Sequence, residues 1–111
     1  MTTAYQQAHR LALVEAATTL AREAIAAAAT CQVRSQSWYF YRGVEDAALH
    51  VLRPEMAVVR EGTSWLDAED RWFRDGFLEA QALLATAAAS PEPRMHLPLP
   101  EPKTGPGSEA V

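Results

Sequence analysis

The clearest alternation of apolar and polar positions lies between Thr63 and Ala89. Apolar residues recur there at steps of three and four, which places them on one broad face of a helix. Ser64 precedes this pattern, and Asp67 lies three residues after Ser64. This spacing is typical of a capping box at a helix N-terminus. The pattern therefore predicts a long helix over residues 65–89.

A second long helix is predicted near the start of the chain. The stretch from Ala4 to Ala29 contains no glycine or proline and is rich in alanine, the strongest helix former. The pattern predicts a helix over residues 3–30, capped by Thr2 or Thr3. Because small side chains let another helix approach closely, we expect the two long helices to pack antiparallel.

Four consecutive aromatic residues, Trp38-Tyr39-Phe40-Tyr41, follow this helix. Taken alone they favour a strand, but the apolar residues that continue the pattern recur at steps of three or four. We therefore predict a medium helix over residues 38–53 with Ser37 as its N-cap. Gly43 weakens this helix by about 1 kcal/mol, and a helix that starts only at Val44 remains the alternative.

A short helix is predicted after the medium one. Pro54 cannot continue the preceding helix but suits the first turn of a new one, and Gly62 is suited to end it. The expected helix covers residues 55–61. A strand over residues 56–60 remains the alternative because two adjacent valines there are β-branched.

The C-terminal part of the chain has a different composition. Six of the seven prolines lie between Pro91 and Pro106, and proline at alternate positions removes backbone donors and favours extended conformations. We predict a disordered proline-rich tail over residues 90–111. The fold class is then all-α, with one helical domain over residues 1–89 that contains two long helices, a medium helix and a short helix.

Composition limits the expected cellular location and the expected classes of binding partner. Ten basic and 14 acidic side chains give a net charge of −4, which argues against broad binding to nucleic acid. The single cysteine, Cys31, cannot form an intramolecular disulfide, so we expect a reducing, cytoplasmic location and a buried thiol that acts as a small hydrophobe. Charged residues interrupt every apolar run well short of a membrane span, and no membrane partner is expected.

The titratable residues form no motif with a known mechanism. Asp46 and His50 are four residues apart, on one helical face, but helical di-metal sites use Glu-x-x-His pairs and further glutamates, and no Glu-x-x-His occurs. We interpret Asp46 and His50 as a surface pair. A dyad of Cys31 with His50 lacks a glycine-rich elbow. We therefore expect no enzyme activity, no cofactor and no metal.

The aromatic residues carry the functional hypothesis. Tryptophan, tyrosine and arginine dominate binding hot spots, although the same residues also fill the end of a helical scaffold. A thin alanine face leaves much aromatic surface uncovered, which predicts a homodimer packed through its long helices. We expect a self-associating protein that acts as an interaction or adaptor module, and regulation is among the roles that such a module can have. The candidate interface residues are Trp38, Tyr39, Tyr41, Arg42, Trp65, Trp72, Phe73 and Phe77.

The alternative is a nucleic-acid-associated regulator in which a dimer gathers arginines on one face. A local positive potential can exist despite a negative net charge. Convergence of the arginines favours nucleic acid, whereas interleaving with acidic residues favours protein contacts. The arginines in question are Arg34, Arg42, Arg53, Arg60, Arg71 and Arg74.

Overall fold

The computed structural model describes residues 3–59, 67–89 and 99–102. It contains three α-helices and one 3-10 turn: α1 (Ala4–Ala29), α2 (Gln36–Leu52), the turn Pro54–Met56 and α3 (Ala68–Ala89). These ranges contain no strand, and none of their helices is long and apolar enough to cross a membrane. The predicted all-α fold is confirmed.

Helix α1 begins with a complete capping box. The Thr3 hydroxyl accepts a hydrogen bond from the Gln6 backbone N–H at 3.1 Å, and the Gln6 side chain accepts one from the Thr3 N–H at 3.0 Å. Two of the backbone donors at the helix start are therefore satisfied locally. The predicted helix and its capping by Thr3 are confirmed.

Helix α2 starts earlier than the sequence pattern indicated. Its N-cap is Ser35, whose hydroxyl accepts from the Trp38 N–H at 3.2 Å; the expectation that Ser37 caps this helix was wrong. The whole aromatic run is therefore helical, and Gly43 lies inside the helix. The alternative start at Val44 is excluded.

Helix α3 begins at Ala68, directly after a capping aspartate. Asp67 Oδ1 accepts from the Asp70 N–H at 2.8 Å, which is how an N-cap side chain satisfies a free donor at a helix start. Ser64, the predicted cap, lies outside the described residues, as does the predicted start of the helix at residue 65.

The predicted short helix over residues 55–61 is only one 3-10 turn within the described residues. Ala57 is already extended, and the carboxylate of Asp46 accepts from the Val58 and Val59 N–H groups at 2.6 and 3.0 Å. Because these two donors are directed to a side chain, they are not available to continue a helix.

Contacts between the three helices define their relative directions. The turn at 30–35 joins α1 and α2 as a hairpin. His9, near the start of α1, is hydrogen-bonded to the carbonyl of Ala88, near the end of α3, so the two long helices are antiparallel as predicted. Tyr39 near the start of α2 contacts Glu69 near the start of α3. Helices α2 and α3 therefore start at the same end of the bundle.

The core is built mainly from alanine, with a few larger side chains from each helix. Leu20 and Val44 are fully buried, Phe40 is 2% exposed and Phe77 is 7% exposed. Trp38, two residues before Phe40, is only half-buried. Helix α2 thus covers much of the apolar surface of α3 that a second chain was expected to cover.

Helices α2 and α3 meet backbone to backbone at two glycines. A Cβ placed on Gly43 would lie 2.9 Å from the Phe77 nitrogen and closer still to the Phe73 carbonyl oxygen. A Cβ on Gly76 would lie 2.8 Å from the Phe40 carbonyl carbon and closer still to its oxygen. Each glycine faces main-chain atoms of the other helix, so neither position has room for a side chain.

Part of the predicted disordered tail lies against the helical domain. Residues 99–102 form no helix or strand, and Leu99 packs against the core. The remaining tail residues lie outside the described ranges, and their predicted disorder stays a prediction.

Candidate interaction surface

The first turns of α2 and α3 bring three aromatic rings together. The Trp38 and Tyr39 rings meet edge to face with centroids 5.0 Å apart, and the Trp72 ring lies 6.3 Å from that of Tyr39. All three side chains are half-buried. We name this group, with the charged residues Arg34, Arg42 and Glu69 beside it, the aromatic–arginine surface.

A tight turn before α2 places Arg34 at the edge of this surface. Arg34 has a φ of 72°, a left-handed conformation that side chains other than glycine adopt at a cost. The Ser35 N–H donates to the Gln32 carbonyl at 3.0 Å and closes the turn. This conformation reverses the chain and directs the start of α2 toward α3.

Glu69 joins the aromatic and charged parts of the surface. It accepts a hydrogen bond from the Tyr39 hydroxyl at 3.2 Å, and its carboxylate lies 3.7 Å from the Arg34 guanidinium. The pKa of Arg34 is raised, first by hydrogen bonding to Tyr39 and then by the negative charges of Tyr39 and Glu69. Tyr39 is therefore held by α3 as well as by its own helix.

Arg42 lies on the other side of the aromatic group. Its guanidinium carbon lies 5.7 Å from the centroid of the Trp38 ring, within the range of a cation–π contact. The same guanidinium makes an ion pair with Glu45 at 2.6 Å. Arg42 is thus fixed over an aromatic face, with part of its charge compensated.

Four of the eight predicted interface residues belong to this surface: Trp38, Tyr39, Arg42 and Trp72. Phe77 lies in the core, and Phe73 is half-buried where α2 and α3 cross. Tyr41 lies on a different side of α2, and Trp65 lies outside the described residues. Consecutive aromatics diverge because each residue of a helix is rotated by about 100° from the one before.

From the sequence, the acidic start of the last helix (Asp67, Glu69 and Asp70) and the aromatic start of the medium helix (residues 38–42) are two separate candidate surfaces. The structure joins them through Glu69. Its contact with Tyr39 depends on the packing of α2 against α3, for which no local sequence signal exists.

The pairing of Asp46 with His50 is found, but its predicted place at the surface was wrong. Asp46 is only 3% exposed, and its Oδ2 lies 3.6 Å from His50 Nε2. His50 also packs edge to face on Phe77 with ring centroids 5.3 Å apart. The carboxylate is buried because it holds the chain that follows α2. Across the described residues, no three His, Cys, Asp or Glu side chains meet in a way that could hold a metal ion.

Tyr41 and Cys31 line a cleft between the end of α1 and the start of α2. Its volume is about 340 Å³. Cys31 donates to the Ala27 carbonyl at 3.3 Å and is partly exposed, so the expected burial of this thiol is incomplete.

Two of the six arginines are paired with acids. Arg34 faces Glu69, and Arg42 is paired with Glu45. Arg53, Arg71 and Arg74 are exposed, and Arg60 lies outside the described residues. The two arginines of the aromatic–arginine surface thus do not form an uncompensated positive patch.

Comparison with protein-family models found no matching family, and comparisons with curated proteins and with solved structures found no similar chain.

Proposed function

We propose that this protein is a cytoplasmic helical interaction or adaptor module that binds a protein partner through the aromatic–arginine surface. The observation that carries the proposal is the cluster of Trp38, Tyr39 and Trp72, three half-buried rings in which Tyr39 lies beside both tryptophans. These residue types, with arginine beside them, are those that contribute most to protein binding. A regulatory role would act through the same surface.

Preorganisation supports this proposal. The hydroxyl of Tyr39 is held by Glu69, and the guanidinium of Arg42 is held by Glu45 and by the Trp38 ring. Side chains that are already fixed lose little conformational entropy on binding, since ordering a flexible side chain costs about 0.5–1.5 kcal/mol. The surface is therefore suited to bind without rearrangement.

The charges favour protein over nucleic acid as the partner. Glu45 and Glu69 each lie beside an arginine of this surface, and carboxylates repel a phosphate backbone, whose contacts dominate nucleic-acid affinity. The nucleic-acid alternative predicts a salt-sensitive gel shift that is lost on Arg42→Ala and Arg53→Ala. No shift is expected here.

Self-association is a second part of the proposal. Leu11 and Ile25 on α1 and Leu78 on α3 are between 45% and 63% exposed, and a second copy that packed on the long helices would cover such groups. Sedimentation equilibrium of the full chain tests this part. A mass of two chains supports it, and a mass of one chain at micromolar and higher concentration contradicts it.

The test of partner binding is an affinity capture from the native host with three baits. The wild-type chain is compared with Trp38→Ala/Trp72→Ala and with Met56→Ala, a control that removes an exposed apolar side chain elsewhere on the domain. We expect the wild type and the control to retain the same protein and the double variant to lose it. Equal capture by all three baits contradicts the proposed surface, provided that circular dichroism shows equal helix content.

A further inference from the structure

The cleft beside Tyr41 is formed in part by a segment from the C-terminal end of the chain. Its walls come from the end of α1 and the start of α2, and the C-terminal segment completes them. The residues that line the cleft include Thr30, Cys31, Ser37, Tyr41, Glu101 and Pro102. Residues 30–31 and residues 101–102 therefore lie close together in space although they are far apart in sequence.

The segment from Leu99 to Pro102 is apolar where it meets the domain. Leu99, Pro100 and Pro102 are partly buried, whereas Glu101 is exposed. Leu99 packs against the hydrophobic core, and Pro102 lines the cleft together with Tyr41. The apolar side chains contact the domain while the charged one remains in water, as expected for a bound peptide.

Its sequence also suits recognition in an extended form. Prolines at positions 98, 100 and 102 alternate with other residues, and proline favours the polyproline conformation, which has no internal hydrogen bonds. Such a segment loses little entropy on binding, and aromatic-lined grooves recognise it for this reason. Tyr41 supplies the aromatic wall here.

We propose that the end of α1 and the start of α2 form a recognition site for an extended, proline-containing segment and that the chain's own residues Leu99–Pro102 are bound there, with the cleft as the space left beside them. The aromatic–arginine surface is a separate site, so this inference does not depend on the proposed function. Release of the segment uncovers Tyr41 and Cys31, and a peptide with the same leucine and proline pattern competes for this site.

The position of the segment also affects the Tyr41 phenol. Burial raises the pKa of the Tyr41 phenol, and the charges of Cys31 and Glu101 raise it further. These two groups are the titratable ones that act on it from α1's end and from the C-terminal segment. A tail that did not reach the cleft would contribute nothing to this shift.

The first test compares the alkylation rate of Cys31, the single cysteine, in three full-length chains. These are the wild type, Leu99→Asp/Pro102→Ser, and the control Pro106→Ser, which changes a tail proline outside the segment. We expect the double variant to react several-fold faster than the other two. Added peptide of sequence LPLPEPK, which reproduces residues 97–103, should slow the double variant saturably, and a scrambled peptide should not. Equal rates in all three chains, or no saturable effect of the peptide, overturn the proposal.

The second test keeps the segment intact and changes one exposed charge. Glu101→Gln should lower the pKa of Tyr41, measured by ultraviolet titration as the difference between each chain and its Tyr41→Phe counterpart. The reason is that a nearby carboxylate disfavours the tyrosinate. An unchanged Tyr41 titration overturns the proposal even if the double variant proves unstable.

Discussion

The glycine crossing of α2 and α3 gives the sharpest prediction for stability. Replacing Gly43 by alanine adds one methyl group, and helix propensity alone would then stabilise the protein by about 1 kcal/mol. In the structure the added Cβ would meet the Phe73 carbonyl and the Phe77 nitrogen. Both are main-chain atoms that cannot rotate away, whereas non-bonded carbon atoms pack at roughly 3.5–4.0 Å. The two helices must therefore move apart.

The expected magnitude follows from these opposing effects. Inserting a methylene into a tightly packed core costs typically 1–3 kcal/mol and occasionally more, and a clash with backbone belongs at the upper end. Taking a cost of about 3 kcal/mol against the gain of about 1 kcal/mol leaves a net loss of about 2 kcal/mol. For a domain of this size that loss lowers the Tm by roughly 8–16 °C.

Thermal unfolding followed by circular dichroism measures this loss directly. Ala85→Gly at an exposed position of α3 is the matched control, and it should lower the Tm by only about 4–8 °C through helix propensity. Gly76→Ala should cost about as much as Gly43→Ala. The double variant Gly43→Ala/Gly76→Ala should lose less stability than the two single variants added together, because helices that have already moved apart accept a second methyl group more easily. A rise in Tm for Gly43→Ala would refute the backbone contact.

Three further predictions concern the turns and the cleft. Asp46→Asn leaves one of the two backbone N–H groups that Asp46 binds without its acceptor. It should lower the free energy of unfolding, measured by chemical denaturation, by about 1–3 kcal/mol. The neighbouring control Glu45→Gln should change it by less than about 1 kcal/mol, and equal losses would contradict the role of Asp46 in holding the chain after α2. Arg34→Gly should melt a few degrees above Arg34→Ala because only glycine adopts the positive φ freely, and equal melting temperatures would show that the turn is unstrained. The raised pKa of Tyr41 stabilises the fold fully below the unfolded tyrosine pKa of about 10, and this contribution is lost as the pH rises through the folded value. The Tm of Tyr41→Phe should therefore fall less than that of the wild type between pH 9 and about 11, whereas parallel curves would contradict the shift.

The helical architecture was predictable because its signals are local. Helix α1 follows from alanine content and from Thr3 three residues before Gln6, which form the observed capping box. Helix α2 was recognised from its spacing, but its start was misplaced by the choice of Ser37 over Ser35. The position of the N-cap does not decide which residues face the core, where Phe40 is buried and Trp38 is only half-buried.

The features that were missed depend on contacts between distant parts of the chain. Gly43 appeared only as a weakness in a helix, because its reason for being glycine lies in the backbone of α3. Asp46 appeared as a surface residue, because its partners are N–H groups of the following connection. Composition and periodicity report what one segment prefers, and neither reports which main-chain atoms a second segment brings to it.

The candidate surface was predictable in part for the same reason. Trp38, Tyr39, Arg42 and Trp72 were singled out by residue type, which is a property of each residue. The division of the aromatic residues between core, surface and cleft depends on the position of α3 and of the C-terminal segment. Glu69 could be assigned to the surface only once Tyr39 was placed beside it.

The central claim is that the aromatic–arginine surface binds a protein partner, and the dissociation constant of the captured, purified partner tests it most directly. Titration calorimetry of the wild type, Trp72→Ala and Met56→Ala gives the three values needed. We predict that Trp72→Ala weakens binding by about 30-fold, or about 2 kcal/mol, as for a hot-spot residue, and that Met56→Ala leaves it within about twofold. A correctly folded Trp72→Ala chain that binds as tightly as the wild type would contradict the claim.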